Sequence, residues 1–145
     1  MAKSITAANA RIMLSVLSLF PVPQQMQGFS ADDVFDAEPV DTAELHMSVD
    51  GKLSAGKIFV PFPWSITLQA NSDSNAFFDA WNAAERAQQE KLPCQGVVLL
   101  TSIGTTWAMV NGFLTTFPTM PNAKKTLQPR KYGITWEDIS PAISV

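Results

Sequence analysis

Cysteine and histidine each occur once in these 145 residues, as Cys94 and His46. One cysteine makes no internal disulfide and no thiolate metal cage, which speaks against a secreted, disulfide-stapled domain. Cys94 reads as a small buried apolar residue ahead of a strand. Any serine-type triad would have to run through His46, which falls on the polar side of an alternating segment and reads as a solvated or interface residue. Ala55-Gly56-Lys57 lacks the upstream glycine of a phosphate loop, and no GxGxxG is present. Charge is scarce too: 16% of residues are Asp, Glu, Lys or Arg, where about 25% is usual. The net charge of -3 argues against a dedicated nucleic-acid binder. The apolar run Ile12–Phe20 is well short of the roughly 20 residues a membrane span needs. It follows Lys3 and Arg11 as a leader would, but Pro21-Val22-Pro23 stands where a small-residue cleavage site belongs, so it reads as an internal first strand.

What the chain does have is apolar bulk. Hydrophobic residues make up 46% of it, with four Trp and nine Phe, enough for one domain over 1–145 with a real core. So few charges on so small a domain favour covering surface by association. Residues 10–20 read as a strand apolar on both faces that ends at Pro21 and Pro23. Residues 24–41 have no regular period and many acids, hence a long acidic loop of the kind that is usually functional or ordered by a partner.

Residues 42–58 are the clearest hairpin. Ala43, Leu45, Met47 and Val49 alternate with Thr42, Glu44, His46 and Ser48, and Asp50-Gly51 suits a type I′ turn. The alternation predicts one apolar face lying on a core and one polar face meeting water or a lumen. Trp64, Ile66, Leu68 and Ala70 alternate with Ser65, Thr67 and Gln69 in a further strand. Asn71-Ser72-Asp73-Ser74-Asn75 then offers capping side chains for a helix carrying Phe77, Trp81, Ala84 and Gln88 at helical spacing, with Phe78 beside the stripe. Strands follow at 96–103, 107–117 and 127–139. One helix among about six or seven strands predicts an α+β, mainly β fold: an antiparallel β-sandwich or barrel with the helix on its flank.

Convergent acids, bases and nucleophiles are not recognisable, so the chain does not read as an enzyme. Asp32, Asp33, Asp36, Glu38, Asp41, Glu44 and Asp50 do not follow calcium-loop spacing, and nothing selects two of them as a glycosidase pair. Lys124, Lys125, Arg130 and Lys131 lie near Tyr132 and Trp136, the makings of a single-strand-binding strip, yet such a cluster is more often a solvated face or a protein contact. No cofactor or metal is implied. Acid at 32–50 and base at 124–131 suit head-to-tail contacts between copies, or pairing within one subunit. A sugar-binding β-sandwich using Trp64, Trp107 or Trp136 is the alternative from another class; inward alternation of Trp64 and Trp136 counts against it.

The strand-to-helix unit Thr67–Gln88, the ending Asn111–Asp138 and the order of elements resemble the inner-tube components of contractile-tailed bacteriophages. That resemblance covers roughly two-thirds of the chain. It implies a tail-tube fold and a structural virion protein, made in the host cytoplasm, whose copies close into a hexameric ring at the tube–baseplate junction. Main tube subunits and related secretion or injection tubes share the pattern. It further implies that the hairpin residues His46, Ser48, Asp50, Gly51 and Lys52 face the lumen, and that Asp32, Asp33 and Asp36 meet Lys124, Lys125, Arg130 and Lys131 between subunits or rings. The partners implied are neighbouring tube, baseplate hub and sheath proteins. Tape-measure protein and DNA would pass through the lumen unread, and no membrane is involved.

Overall fold

The computed structural model describes residues 10–29 and 34–143. Among these are nine strands and one helix, more strands than the alternation alone predicts. Seven form one antiparallel sheet in the order β2-β1-β7-β8-β9-β6-β3, and two form a separate hairpin, β4-β5. The strands of the large sheet are β1 (Ala10–Val16), β2 (Phe20–Gln25), β3 (Phe35–Ala37), β6 (Phe62–Leu68), β7 (Cys94–Leu100), β8 (Thr105–Thr116) and β9 (Arg130–Ile143). The order leaves β2 and β3 as edges, so the sheet curls into a sandwich and does not close as a barrel.

Long strands carry the curl. The first half of β9 pairs with β6, while most of its length pairs with β8. In β8, Asn111 is an extra residue between the pairs Val110–Asp138 and Gly112–Trp136 and takes φ 48°. Its side chain accepts from Gln95 Nε2 at 3.1 Å and donates to Glu137 Oε2 at 2.7 Å, holding this bulge in the left-handed region. Beside it Gly112 is required by packing: a Cβ there would lie 2.5 Å from the Trp136 ring.

The core fills the concave side. Ile12, Leu14, Val16, Ile66, Leu68, Tyr132, Ile134 and Trp136 are buried, at the alternating positions that face inward. Helix α1 (Asn75–Gln88) closes one end of the sandwich. Its Phe78 stacks on Tyr132 at 4.0 Å, Phe77 meets Phe20 at 4.9 Å, and Trp81 Nε1 donates to the Leu92 carbonyl at 3.1 Å. Phe77, Phe78 and Trp81 are buried as the spacing predicts, but Gln88 is exposed and Glu85 takes the inward place. Glu85 is tolerated because its carboxylate accepts the Leu92 N–H at 3.0 Å and meets Lys91 at 3.4 Å.

Other local expectations fail for identifiable reasons. Pro21 and Pro23 do not end a strand; the chain turns at 17–19 and both prolines lie in β2, an edge strand where missing N–H groups cost nothing. The acidic segment is not wholly a loop, since Phe35–Ala37 pairs with β6. Ser74 occupies the helix N-cap without capping through its side chain. Its hydroxyl accepts the N–H of Gln27 at 2.8 Å, and the carbonyls of Ser72, Asp73 and Ser74 take the first helical N–H groups. The capping residues are spent on holding the 26–29 segment against the strand–helix turn.

Candidate functional site: an uncovered hairpin and an open sandwich end

Strands β4 (Ala43–Met47) and β5 (Leu53–Lys57) form the predicted hairpin. It does not lie on a core: every residue of both strands is exposed. Leu45 pairs with Ala55 and Met47 with Leu53, so one face carries all four apolar side chains. Leu45, Met47 and Leu53 retain 59%, 66% and 59% of their accessible surface. The opposite face carries Glu44, His46, Ser48, Lys52 and Ser54. A two-stranded hairpin by itself is at best marginally stable in water, and this one displays apolar surface of the kind that marks an interface.

The turn differs from the type I′ expected. Gly51 has φ 87°, while Asp50 is not among the positive-φ residues. Gly51 N–H donates to the Ser48 carbonyl at 3.0 Å and Ser48 N–H to that of Lys52 at 2.8 Å, the pattern of a three-residue loop with a glycine bulge. The Ser48 hydroxyl donates to the Asp50 carboxylate, which lowers the Asp50 pKa below its ordinary value. Lys52 N–H donates to Ser48 Oγ at 3.2 Å, and His46 Nε2 lies 3.3 Å from Glu44 Oε1 on the polar face. His46, Ser48, Asp50, Gly51 and Lys52 thus share one exposed tip and face.

The hairpin springs from the end of the sandwich opposite α1. There an apolar cleft of about 260 Å3 opens between Phe35, Trp64, Leu100, Trp107, Met109 and Ile139. Trp64 and Trp136 are buried and Trp107 is half-buried in the cleft wall, so none of the three presents the exposed flat platform that a sugar binder uses.

The charged residues separate. Asp32 and Asp33 lie outside the described residues. Asp36 is exposed on β3, where it and Glu38 share a shallow polar concavity with Lys131 and the Thr115 and Thr135 hydroxyls. Lys124 and Lys125 are exposed on a loop closed by the Ala123–Leu127 bridge. Arg130 corrects its grouping as a surface contact: it is only 6% exposed. Its guanidinium is bound to Asp79 of α1 at 3.0 Å and to the Pro118 carbonyl at 2.7 Å, over the rings of Phe117 and Tyr132. Neighbouring β9 positions point to opposite faces, which is why Arg130 and Lys131 part. Among the described residues no group of three His, Cys, Asp or Glu side chains converges as metal ligands.

Sequence reasoning missed Asn75, which donates to the Gln69 and Ala70 carbonyls and accepts from Tyr132. It also missed the cleft and the β3 edge, which are formed by segments far apart in the chain.

An open antiparallel sandwich, plugged at one end by a helix and extending a bare hairpin from the other, is the architecture of tube-forming and tube-capping proteins of contractile injection systems. The fold of this chain is shared with a component of the anti-feeding prophage baseplate (TM-score 0.64, 12% identity, 98% of this chain and 97% of that one). It is shared equally with one from the tube-terminating cap of the same particle (0.62, 12%, 99% and 95%). A third likeness is to a component of the PVC extracellular contractile injection system sheath/tube terminator (0.62, 12%, 98% and 99%). A family model described as "Tail fiber protein gp32" matches residues 3–140, and the chain belongs to that family. No curated protein matches its sequence.

Proposed function

We propose that this chain is a non-enzymatic structural subunit of a contractile phage-type tail, closing into a hexameric ring of the inner tube at the tube–baseplate junction. The observation that carries this reading is the hairpin: fully exposed, apolar on one face, and uncovered in the single subunit. Burying its Leu45, Met47 and Leu53 side chains on a neighbour contributes about 1.5–3 kcal/mol each. That is enough for a small set of repeated contacts to close a ring. With the apolar face turned to the neighbour, Glu44, His46, Ser48 and Lys52 are left for an aqueous lumen, a polar wall through which DNA and tape-measure protein pass without specific recognition.

A position at a tube end, beside baseplate hub and sheath proteins, is supported by the fold likenesses. The baseplate, cap and terminator components align at TM-scores of 0.64, 0.62 and 0.62, and a chain of the PVC sheath–tube complex at 0.55. The family description names a fibre instead. Fibres are elongated and commonly repetitive, whereas this chain has no internal repeat and a single sandwich. The exposed Lys124, Lys125 and Lys131 are proposed to meet the acidic segment of the next ring, Asp32, Asp33 and Asp36. Arg130 is committed within the subunit and takes no part.

Negative-stain electron microscopy of the purified chain over a concentration series tests the reading. Isolated rings are expected. Long hollow tubes would make it a main tube subunit instead, and monomers at every concentration, with and without baseplate proteins, would overturn it.

A further inference from the structure

We propose that the hairpin of a second copy of this chain adds through β5, antiparallel, to the β3 edge, seating Leu53 and Ala55 against the cleft beside Phe35 and Ala37. This rests on the ring reading above and specifies which edges meet.

The two edges of the sheet are chemically unequal. In β2, Leu14 pairs with Gln24 and Val16 with Phe20, so Pro21, Val22 and Pro23 bulge opposite Ser15. Two of those three residues lack an N–H. Bulge and prolines together close that edge to strand addition. The β3 edge is open. Glu38 N–H donates to the Pro63 carbonyl and Thr67 N–H to that of Val34, each at 3.2 Å. Even-numbered backbone groups therefore face β6, and those of Phe35 and Ala37 face away from the sheet, each with a donor and an acceptor. The same two residues turn their side chains into the cleft, while Asp36 and Glu38 line the opposite face.

The hairpin has the matching parity. Ser48 N–H donates to the Lys52 carbonyl at 2.8 Å and Ile58 N–H to that of Thr42 at 3.2 Å, so its even-numbered residues bond each other. The outward backbone groups of β5 belong to Leu53 and Ala55, which also carry the apolar face. Directly opposed residues of an antiparallel pair put their side chains on the same side of the sheet. Joining the free groups of β5 to those of β3 therefore sends Leu53 and Ala55 to the cleft side, and a one-residue slip would reverse the faces.

Charge selects β5 over β4. With Leu53 opposite Ala37, Lys52 stands opposite Glu38; with Leu53 opposite Phe35, it stands opposite Asp36. The corresponding registers of β4, with Leu45 opposite Ala37 or Phe35, set Glu44 against the same acids, and like charges directly opposed are unfavourable. Edge and hairpin are different surfaces, so the contact is head-to-tail and repeats around a ring.

Cysteine pairing tests it. Opposed residues whose backbones do not bond each other across an antiparallel pair have Cα atoms about 4.5 Å apart, within disulfide reach; Cys94 is fully buried and stays silent. Full-length Lys52→Cys is mixed with Glu38→Cys, with Asp36→Cys, or with Val22→Cys on the β2 edge as control. Each mixture is oxidised mildly, run on a non-reducing gel and imaged in negative stain. A disulfide dimer in one of the two β3 mixtures and none in the control is the expected result, with a ladder of multimers from the matching double variant. Rings without a β3 cross-link would overturn the edge assignment and leave the ring standing. An intramolecular disulfide in the double variant would make the chain's own hairpin the occupant, overturning the contact between copies. Neither rings nor cross-links in any sample would overturn both.

Discussion

Tyr132 of β9 donates its hydroxyl to Asn75 Oδ1 at 2.9 Å, tying the first residue of the helix to the middle of the sheet. The same Asn75 amide donates to the Gln69 and Ala70 carbonyls at 2.9 and 3.3 Å, so strand, turn, helix and sheet meet at one buried side chain. Tyr132→Phe leaves Asn75 Oδ1 without its donor in a dry site and is expected to cost about 1–2 kcal/mol; Asn75→Ala, which frees two carbonyls as well, is expected to cost more. Urea unfolding followed by tryptophan fluorescence measures both, and equal losses would show that the turn carbonyls find water.

The Asp79–Arg130 pair is lopsided, with the carboxylate side chain 52% exposed and the guanidinium 6%. Removing the carboxylate strands a buried cation, whereas removing the cation leaves a carboxylate that water can reach. Asp79→Ala is therefore expected to lose about 1–2 kcal/mol and Arg130→Met less, because methionine keeps the contact with Phe117 and Tyr132. The reverse order in thermal melts would mean that the guanidinium's bond to the Pro118 carbonyl dominates.

Asn111 sits at φ 48° only because Gln95 and Glu137 hold its side chain. Asn111→Ala keeps the strain and loses the bonds, at about 1–2 kcal/mol; Asn111→Gly loses the bonds but relieves the backbone, and should melt nearer to the parent. If the two substitutions melt together, backbone conformation is not what the bulge requires.

Burial pushes the Cys94 thiol from an ordinary 9.0 up to about 12, and burial likewise raises Tyr132 above its ordinary range. The folded state thus holds protons that the unfolded chain releases. Their contribution is complete below pH 9 and is lost as pH rises from there towards 12, at about 1.4 kcal/mol per unit from Cys94 alone. Unfolding free energies across this range should fall accordingly, with a shallower slope in Cys94→Ala. A thiol-reactive dye at pH 8 should label the chain only once it is unfolded.

Lys124 and Lys125 are exposed on a surface loop. Reversing both to Glu should leave the thermal melt within about 0.5 kcal/mol of the parent while abolishing ring-on-ring stacking in electron micrographs. Stacking that persists would remove this segment from the inter-ring contact.

Local chemistry was enough to determine the strand alternation through Trp64, Ile66 and Leu68, the helix with Phe77, Phe78 and Trp81, and the hairpin at 42–58. A residue's period and its turn neighbours decide these within a few positions. Arg130 and Lys131, adjacent and alike in sequence, were separated only by the pleat of β9, which sends one to Asp79 and leaves the other outside. Pro21 and Pro23 read as a stop until the sheet order made β2 an edge. The bareness of the hairpin, the open end of the sandwich and the free backbone of Phe35 and Ala37 were likewise beyond local reading. Each depends on which strands pair and which remain unpaired, and pairing joins residues that the chain keeps far apart.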